Sequence, residues 1–110
     1  MRRPPDPTPT YASIWDFRVR PAEDARFREV YGPAGPWVAL FHRASGYLST
    51  RLYRDHDNRH HYVTVDVWES RAAYDAFQRD FAAEYARLDA ECQGLMLSEA
   101  LIGHFDVESG

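Results

Sequence analysis

The chain has 110 residues, enough for one domain with one hydrophobic core, and its 45% hydrophobic and 27% charged content is typical of a folded protein. The net charge is −4 and no basic patch exists beyond Arg2 and Arg3, which argues against nucleic acid as a partner. The single cysteine permits no intrachain disulfide, and no apolar run could serve as a membrane span or a secretory signal, so we expect a cytoplasmic protein.

The first part of the chain predicts an arm, a strand and two helical segments. Four prolines in residues 2–10 prevent a helix or a central strand, so we expect a disordered N-terminal arm over residues 1–10. Residues 11–19 carry apolar side chains on both faces, which predicts a strand covered on both sides. Pro21 opens a helix to about residue 30, and residues 37–41 predict further helical turns after a loop rich in glycine and proline.

Residues 46–54 and 60–68 predict a β-hairpin with a tight turn at Asp57 and Asn58. The resulting register places Leu52 opposite Val63, and it puts Arg51 and Asp66 on one face as diagonal neighbours. An unpaired carboxylate in the middle of a strand is costly to bury. The Arg51 guanidinium is therefore the predicted partner of Asp66.

The rest of the chain predicts a helix and a last strand. Ser70 can cap a helix over residues 70–91 that carries an apolar stripe, bends near residues 81–84 and ends before Gly94. Residues 97–105 predict the last strand. The order β-α-β-β-α-β over residues 11–106 indicates one α+β, ferredoxin-like domain, whose four-stranded antiparallel sheet carries its helices on one face. The other face would expose apolar side chains, so we expect a homodimer packed sheet to sheet; these side chains are Leu48, Leu52, Val63, Val65 and Val67.

Residues 62–70 read aromatic-Val-x-Val-acid-x-Trp-Glu-Ser before a helix, a pattern that resembles the antibiotic biosynthesis monooxygenase superfamily. Residues 17–21, residues 46–48 and the aromatic second helix fit the same pattern. The resemblance implies a dimeric α+β barrel with a pocket between the sheet and the helices of each monomer. Some members of the superfamily oxidise polycyclic aromatic polyketides such as anthrones with O₂ and without metal or flavin. Others degrade haem, isomerise their substrates or act on small signals, and many have no known activity.

The resemblance also indicates which residues line the pocket. It places Trp15 and Trp68 at pocket-lining strand positions, and it places Gln78 where the haem-degrading branch has a histidine ligand. That branch also has an asparagine near the position of Trp15. Both of these haem-branch residues are absent here, which argues against haem degradation. We therefore expect no metal and no cofactor.

Asp66 is the candidate catalytic base or its orienter, and Arg51 is the candidate for stabilising a substrate anion. Tyr53 and Tyr62 are candidates for hydrogen bonds to a quinone-like oxygen of the substrate. Each assignment has a structural alternative. The tryptophans can be core residues, the pair of Asp66 and Arg51 can be a structural ion pair, and the tyrosines can close the rim of the pocket.

Two further features favour structural interpretations. Residues 55–61 are rich in histidine and aspartate, but they lie around a hairpin tip with no helical spacing to hold a metal, so a solvated turn is favoured. Cys92 lies on the apolar helix stripe and is expected to be a buried, inert thiol.

The hypothesis is a homodimer with one small-molecule pocket per chain for a planar aromatic ligand. If the protein is an enzyme, we expect cofactor-independent oxygenation of a polyketide or a quinone-like compound. The alternatives are a non-catalytic binding or structural dimer of the same fold, and an isomerase or cyclase acting on the same kind of molecule.

Overall fold

The computed structural model describes residues 9–108, which form one antiparallel sheet with helices on one face. The strands are β1 (Tyr11–Val19), β2 (Tyr47–Arg54), β3 (His61–Trp68) and β4 (Met96–Asp106), in the sheet order β2-β3-β1-β4. The helices are α1 (Asp24–Tyr31), α2 (Pro36–Phe41), α3 (Arg71–Asp80) and α4 (Ala82–Cys92). The predicted ferredoxin-like fold is confirmed. The predicted N-terminal arm lies outside the described residues except for residues 9 and 10.

The second helical region begins and bends where the sequence indicates. The Ser70 hydroxyl accepts a hydrogen bond from the Ala73 backbone N–H at 3.1 Å, which caps α3. Phe81 interrupts the helix at φ −117° and ψ 24°, so the predicted bend separates α3 from α4. The helix ends before Gly94, as predicted, since α4 stops at Cys92; a 3₁₀ turn over Gln93–Leu95 follows, and Gly94 does not take a positive φ.

The core lies between the inner face of the sheet and the helices, and it is built mainly of aromatic rings. Buried rings on the strands pack against buried rings on the helices; they are Phe17, Phe27, Tyr31, Trp37, Phe41, Tyr62, Trp68 and Phe77. Neighbouring rings meet mostly in tilted or edge-to-face geometry, such as Phe41 on Trp68 at 5.5 Å between centroids. This core therefore accounts for much of the high aromatic content of the sequence. None of the helices in residues 9–108 has both the length and the apolar character needed to cross a membrane.

The register of the β2–β3 hairpin differs from the predicted one by one residue. Asp55 N–H donates to the His61 carbonyl, and the Asp55 carboxylate accepts from the N–H groups of Asp57 and Asn58. These bonds stabilise a five-residue loop over residues 56–60 in place of a two-residue turn at Asp57 and Asn58, and the pairing of the strands shifts by one residue. Since side chains alternate along a strand, the shift moves those of β2 to the opposite face relative to the prediction.

The new register corrects two assignments of residues to faces. Arg51 pairs with Val65 and lies exposed on the outer face, whereas Asp66 points to the inner face. The predicted pair of Arg51 and Asp66 is therefore wrong. Leu52 pairs with Thr64 and faces inwards, so it does not belong to the outer apolar surface. A bulge after Tyr47 leaves Tyr47 paired with Trp68, as predicted.

The outer face of the sheet carries exposed apolar side chains. The register places on this face Ile14, Tyr53, Val63, Val65, Val67 and Phe105. Tyr53 is 52% exposed and Phe105 is 46% exposed. A contiguous apolar surface of this kind is unusual on a protein that stays monomeric.

Asp24, at the start of α1, is a buried carboxylate that joins the first helix to the hairpin. Its Oδ2 atom accepts from Arg28 Nε at 3.1 Å and from Arg54 Nη2 at 3.0 Å. Its Oδ1 atom accepts from the Tyr62 hydroxyl at 2.9 Å and lies 3.1 Å from His60 Nδ1. Burial raises the pKa of Asp24, but the hydrogen bonds from His60 and Tyr62 and the two arginine charges outweigh it, so the pKa lies below its ordinary value.

We expect Asp24→Ala to lower the free energy of unfolding by about 2–3 kcal/mol at pH 7, because it leaves the buried Tyr62 hydroxyl without its acceptor and removes charge-assisted bonds. Since the folded pKa of Asp24 is depressed, this contribution is present above the unfolded pKa near 3.8 and is lost as the pH falls through the folded value. Urea denaturation measures the change. Asp75→Ala, at an exposed pair with Arg71, is the control and should stay within about 0.5 kcal/mol of the parent. Equal effects of the two substitutions would contradict the role of Asp24.

Candidate active site

A cavity lined by aromatic and acidic side chains lies between the inner face of the sheet and the helices. Strand residues form one wall; they are Trp15, Phe17, Thr50, Thr64, Asp66 and Glu99. Helix residues form the other; they are Tyr31, Trp37, Phe41, Tyr85 and Asp89. The cavity offers about 50 Å³ to water-sized atoms, which is room for a few water molecules. A polycyclic ligand is larger than this volume, so side chains of the lining must move to admit it.

Asp66 is the most buried carboxylate in the cavity wall, with 8% of its surface exposed. The side-chain alternation of β3 turns it inwards, together with Tyr62, Thr64 and Trp68. Burial raises the pKa of Asp66 to about 6, and the hydrogen bond from Thr50 opposes that rise only in part. A carboxylate with this pKa can both take up and release a proton near neutral pH.

A short chain of hydroxyl groups leads to Asp66. The Tyr47 hydroxyl donates to Thr50 Oγ1 at 2.7 Å, and Thr50 Oγ1 donates to Asp66 Oδ1 at 2.7 Å. The hairpin register places Thr50 directly opposite Asp66 and makes this contact possible. The arrangement fixes one carboxylate oxygen, while the other accepts no hydrogen bond from any residue in 9–108.

Trp37 supplies a hydrogen-bond donor to the same site. Its ring lines the cavity, and its buried indole N–H lies near the Tyr31 hydroxyl and the Cys92 thiol without a hydrogen bond of ordinary geometry to any described residue. A buried donor without a partner carries a free-energy cost that a ligand oxygen can remove. Trp68 also has a buried and unpartnered indole N–H, but its ring packs against Phe41 and Phe77 and is not among the lining residues.

The structure distributes the residues predicted for the site over three environments. Asp66 and Trp15 line the cavity, whereas Trp68 lies in the adjacent core. Arg51 and Tyr53 lie on the outer face of the sheet, away from the cavity.

The two remaining predicted residues have partners elsewhere. Tyr62 is almost fully buried and donates its hydroxyl hydrogen bond to Asp24, so it does not face a ligand in the cavity. Gln78 is half-buried on α3 and donates to the Tyr74 hydroxyl at 3.1 Å, outside the cavity lining.

The sequence analysis did not identify several of the residues that line the cavity. Tyr85 lies on the predicted apolar stripe of the second helix, and Trp37 follows the proline that starts α2, so both were identified only as helix positions. Thr50 could be found only with the correct hairpin register. Asp89 and Glu99 lie on α4 and β4, and nothing in their local sequence marks them as parts of one site.

The histidine-rich hairpin binds carboxylates of the chain. His61 Nδ1 lies 2.7 Å from Asp55 Oδ2, and its Nε2 contacts the Asp16 carboxylate. Hydrogen bonds to Asp55 and then to Asp16 raise the pKa of His61. The prediction of a solvated turn is therefore correct for the exposed His56 and wrong for His61. Within residues 9–108, no group of three or more His, Cys, Asp or Glu side chains is arranged to hold a metal ion.

Comparisons with known proteins agree with this architecture. Residues 10–87 match the family model described as antibiotic biosynthesis monooxygenase. A mutant of SnoaB, a cofactor-independent oxygenase from Streptomyces nogalater, is similar with a TM-score of 0.75 and 23% identity over 94% of this chain and 97% of that chain. PA3566 from Pseudomonas aeruginosa has a TM-score of 0.65 and 16% identity over 96% and 100% of the two chains. A conserved protein from Methanosarcina mazei Go1 has a TM-score of 0.69 and 10% identity over 92% and 95%.

Among curated protein sequences, none matches the chain. The identities to these three structures are all below 25%, so the similarities concern the fold. The family model covers more than half of the chain. The chain belongs to the antibiotic biosynthesis monooxygenase family.

Proposed function

We propose that the protein is a cofactor-independent oxygenase of planar aromatic substrates, and that Asp66 removes a proton from an acidic C–H group of the substrate. The observation that carries this proposal is a buried carboxylate with a pKa raised to about 6 in the wall of an aromatic cavity. An acid placed in this way costs stability, and a role as a general base gives a reason for it. The family membership and the cofactor-independent activity of SnoaB support the same reaction class.

The reaction needs a substrate whose carbanion is stabilised by a neighbouring carbonyl group, as in an anthrone. Asp66 takes the proton, and the carbanion transfers an electron to O₂ to give a substrate radical and superoxide. The two recombine to form a C–O bond and, after protonation, a hydroperoxide. Loss of water from the hydroperoxide leaves a second carbonyl group, so that a CH₂ group and O₂ become C=O and H₂O. The substrate supplies all the electrons, and the protein supplies the base, the orientation and a dry cavity.

The negative charge of the carbanion collects on the substrate oxygen, where a hydrogen-bond donor stabilises it. The Trp37 ring lines the cavity, and its buried indole N–H makes no hydrogen bond of ordinary geometry within residues 9–108, although the Tyr31 hydroxyl and the Cys92 thiol lie near it, so we assign it this role. Arg51 was expected to fill it, but Arg51 lies on the other face of the sheet. Trp15 lines the same cavity and offers a face for the substrate rings to stack on.

Oxygen uptake with an anthrone tests the function. We expect the protein, after dialysis against a chelator, to consume O₂ and form the anthraquinone in equal amounts, faster than the uncatalysed background. If anthrone quenches the tryptophan fluorescence of the protein but no O₂ is consumed above background, the protein would instead be a binding protein of the same fold.

The exposed outer face of the sheet leads us to propose a homodimer packed through this face. Val65 lies near its centre, so Val65→Asp would bury a charge in the interface and should yield monomers. Light scattering should give twice the 12.8 kDa chain mass for the parent and the chain mass for the variant. Ala90→Asp, on the exposed side of α4, is the control and should remain dimeric. A monomeric parent at micromolar concentration would contradict this assembly.

A further inference from the structure

The charged side chains that line the cavity all have the same sign. They are Asp66, Asp89 and Glu99, and no arginine or histidine of residues 9–108 lies in the lining. No salt bridge in the described part of the chain joins any of these three acids to a basic side chain. The charge of the cavity wall is therefore not balanced by a basic lining residue.

The three carboxylates act on one small volume. Burial is the main cause that raises the pKa of Tyr85, and the nearby Tyr74, Asp89, Glu99 and Asp66 raise it further. One hydroxyl at the cavity wall thus experiences the negative field of all three carboxylates. The field is strengthened by the low-dielectric aromatic walls around it.

The hydrogen-bond partners of the carboxylates are neutral and few. Asp66 accepts a side-chain hydrogen bond from Thr50, and Glu99 accepts one from Gln93 Nε2 at 3.2 Å. Asp66 is more than nine-tenths buried, and its second oxygen accepts no hydrogen bond from a residue in 9–108. Asp89 and Glu99 are half-exposed, and we call the half-exposed part of the lining the mouth of the cavity.

The aromatic part of the lining adds a second attraction for positive charge. The faces of tryptophan and tyrosine rings attract cations through their quadrupole, most strongly where water is excluded. Trp15 and Tyr85 are the half-exposed rings of the lining, so they belong to the mouth together with Asp89 and Glu99. Asp89 and Glu99 beside these rings therefore favour an organic cation over an anion at this part of the cavity wall.

We propose that the cavity selects an aromatic ligand that carries a protonated amine, with its rings against Trp15 and Trp37 and its amine towards Asp89 and Glu99, and that it rejects aromatic carboxylates. The inference rests on the proposed function only in taking this ligand to be the substrate. Asp66 is buried and lies outside this half-exposed part of the lining, so in this proposal it faces the C–H group rather than the amine.

Three naphthalenes of the same ring size test the inference. They are 2-(aminomethyl)naphthalene, 2-naphthalenemethanol and 2-naphthoate, which at pH 7.5 are a cation, a neutral molecule and an anion. Calorimetry at low ionic strength should give the tightest binding for the amine, weaker binding for the alcohol, and binding of the naphthoate about tenfold or more weaker than that of the amine. Glu99→Gln and Asp89→Asn should each reduce this preference by several-fold. Glu29→Gln, at an exposed position of α1 outside the lining, removes the same charge and should leave the preference unchanged.

Equal affinities for the three compounds, or tighter binding of the naphthoate, would overturn the inference. So would a preference for the amine that Glu29→Gln reduces as much as Glu99→Gln, because the net charge of the protein would then explain it. Binding of none of the three would also overturn it. The anthrone oxidation assay uses a neutral substrate and decides the proposed function separately.

Discussion

Asp66→Asn should lower the rate of anthrone oxidation by about 10²–10⁴-fold, the range that a general base contributes. The amide keeps the size of the side chain and can still accept the hydrogen bond from Thr50, but it cannot take up a proton. Because burial raises the pKa of Asp66 to about 6, the parent rate should rise with pH through an apparent pKa near 6 and then level off. The residual rate of the variant should lack this step. Oxygen-electrode measurements between pH 4.5 and 8.5 give both results.

Thr50→Val is the matched variant for the pH profile. It removes the hydrogen bond that holds the pKa of Asp66 down and leaves the carboxylate in place. The step in its profile should therefore move to higher pH, with a plateau above that of Asp66→Asn. An Asp66→Asn variant that keeps more than about a tenth of the parent rate would exclude Asp66 as the base.

The same Asp66→Asn substitution should raise the free energy of unfolding at pH 8 by about 3 kcal/mol. The folded pKa of Asp66 is about 6, above its ordinary value of 3.8, because burial penalises the charged form. Above pH 6 the folded parent keeps this carboxylate ionised at a cost, and below the unfolded pKa the group is neutral in both states and costs nothing. The difference between variant and parent should therefore grow from near zero at pH 4 to its full value above pH 6.

Urea denaturation at pH 4 and pH 8 measures this difference. The control is Asp75→Asn, which changes the same functional group on the exposed side of α3 and should show no such pH dependence. A variant less stable than the parent at pH 8 would mean that the ionised carboxylate stabilises the fold, and Asp66 would then be a structural residue. Higher stability together with lost activity is the combination expected of a residue kept for catalysis.

The fold could be predicted from the sequence because its signals are local and consistent. The alternation in residues 62–68, the cap at Ser70 and the proline that starts α2 each predict an element that the structure contains. The break at Phe81 lies where the sequence analysis expected a bend. These features depend on neighbours within a few residues, where backbone preference and side-chain periodicity decide the outcome.

The site was predicted less completely, because it depends on the pairing of distant residues. One residue in the loop between Asp55 and His61 decides whether Arg51 or Thr50 faces inwards beside Asp66. The Asp55 carboxylate accepts hydrogen bonds from two backbone N–H groups in that loop. This aspartate was the signal in the sequence for the longer turn. Correct pairing turns the expected ion pair into a hydroxyl chain and leaves the carboxylate without a cation. The exposure of Tyr53 follows from the same shift.

Proton exchange without oxygen tests most directly whether Asp66 is the base. In D₂O from which O₂ has been removed, the carbanion of an anthrone can only be protonated again, so each deprotonation replaces a substrate hydrogen with deuterium. We predict that the protein accelerates this exchange, followed by mass spectrometry, and that Asp66→Asn abolishes the acceleration while still binding the anthrone. An Asp66→Asn variant that exchanges as fast as the parent would contradict the account. So would a parent protein that oxidises the anthrone in air but does not accelerate the exchange when O₂ is absent.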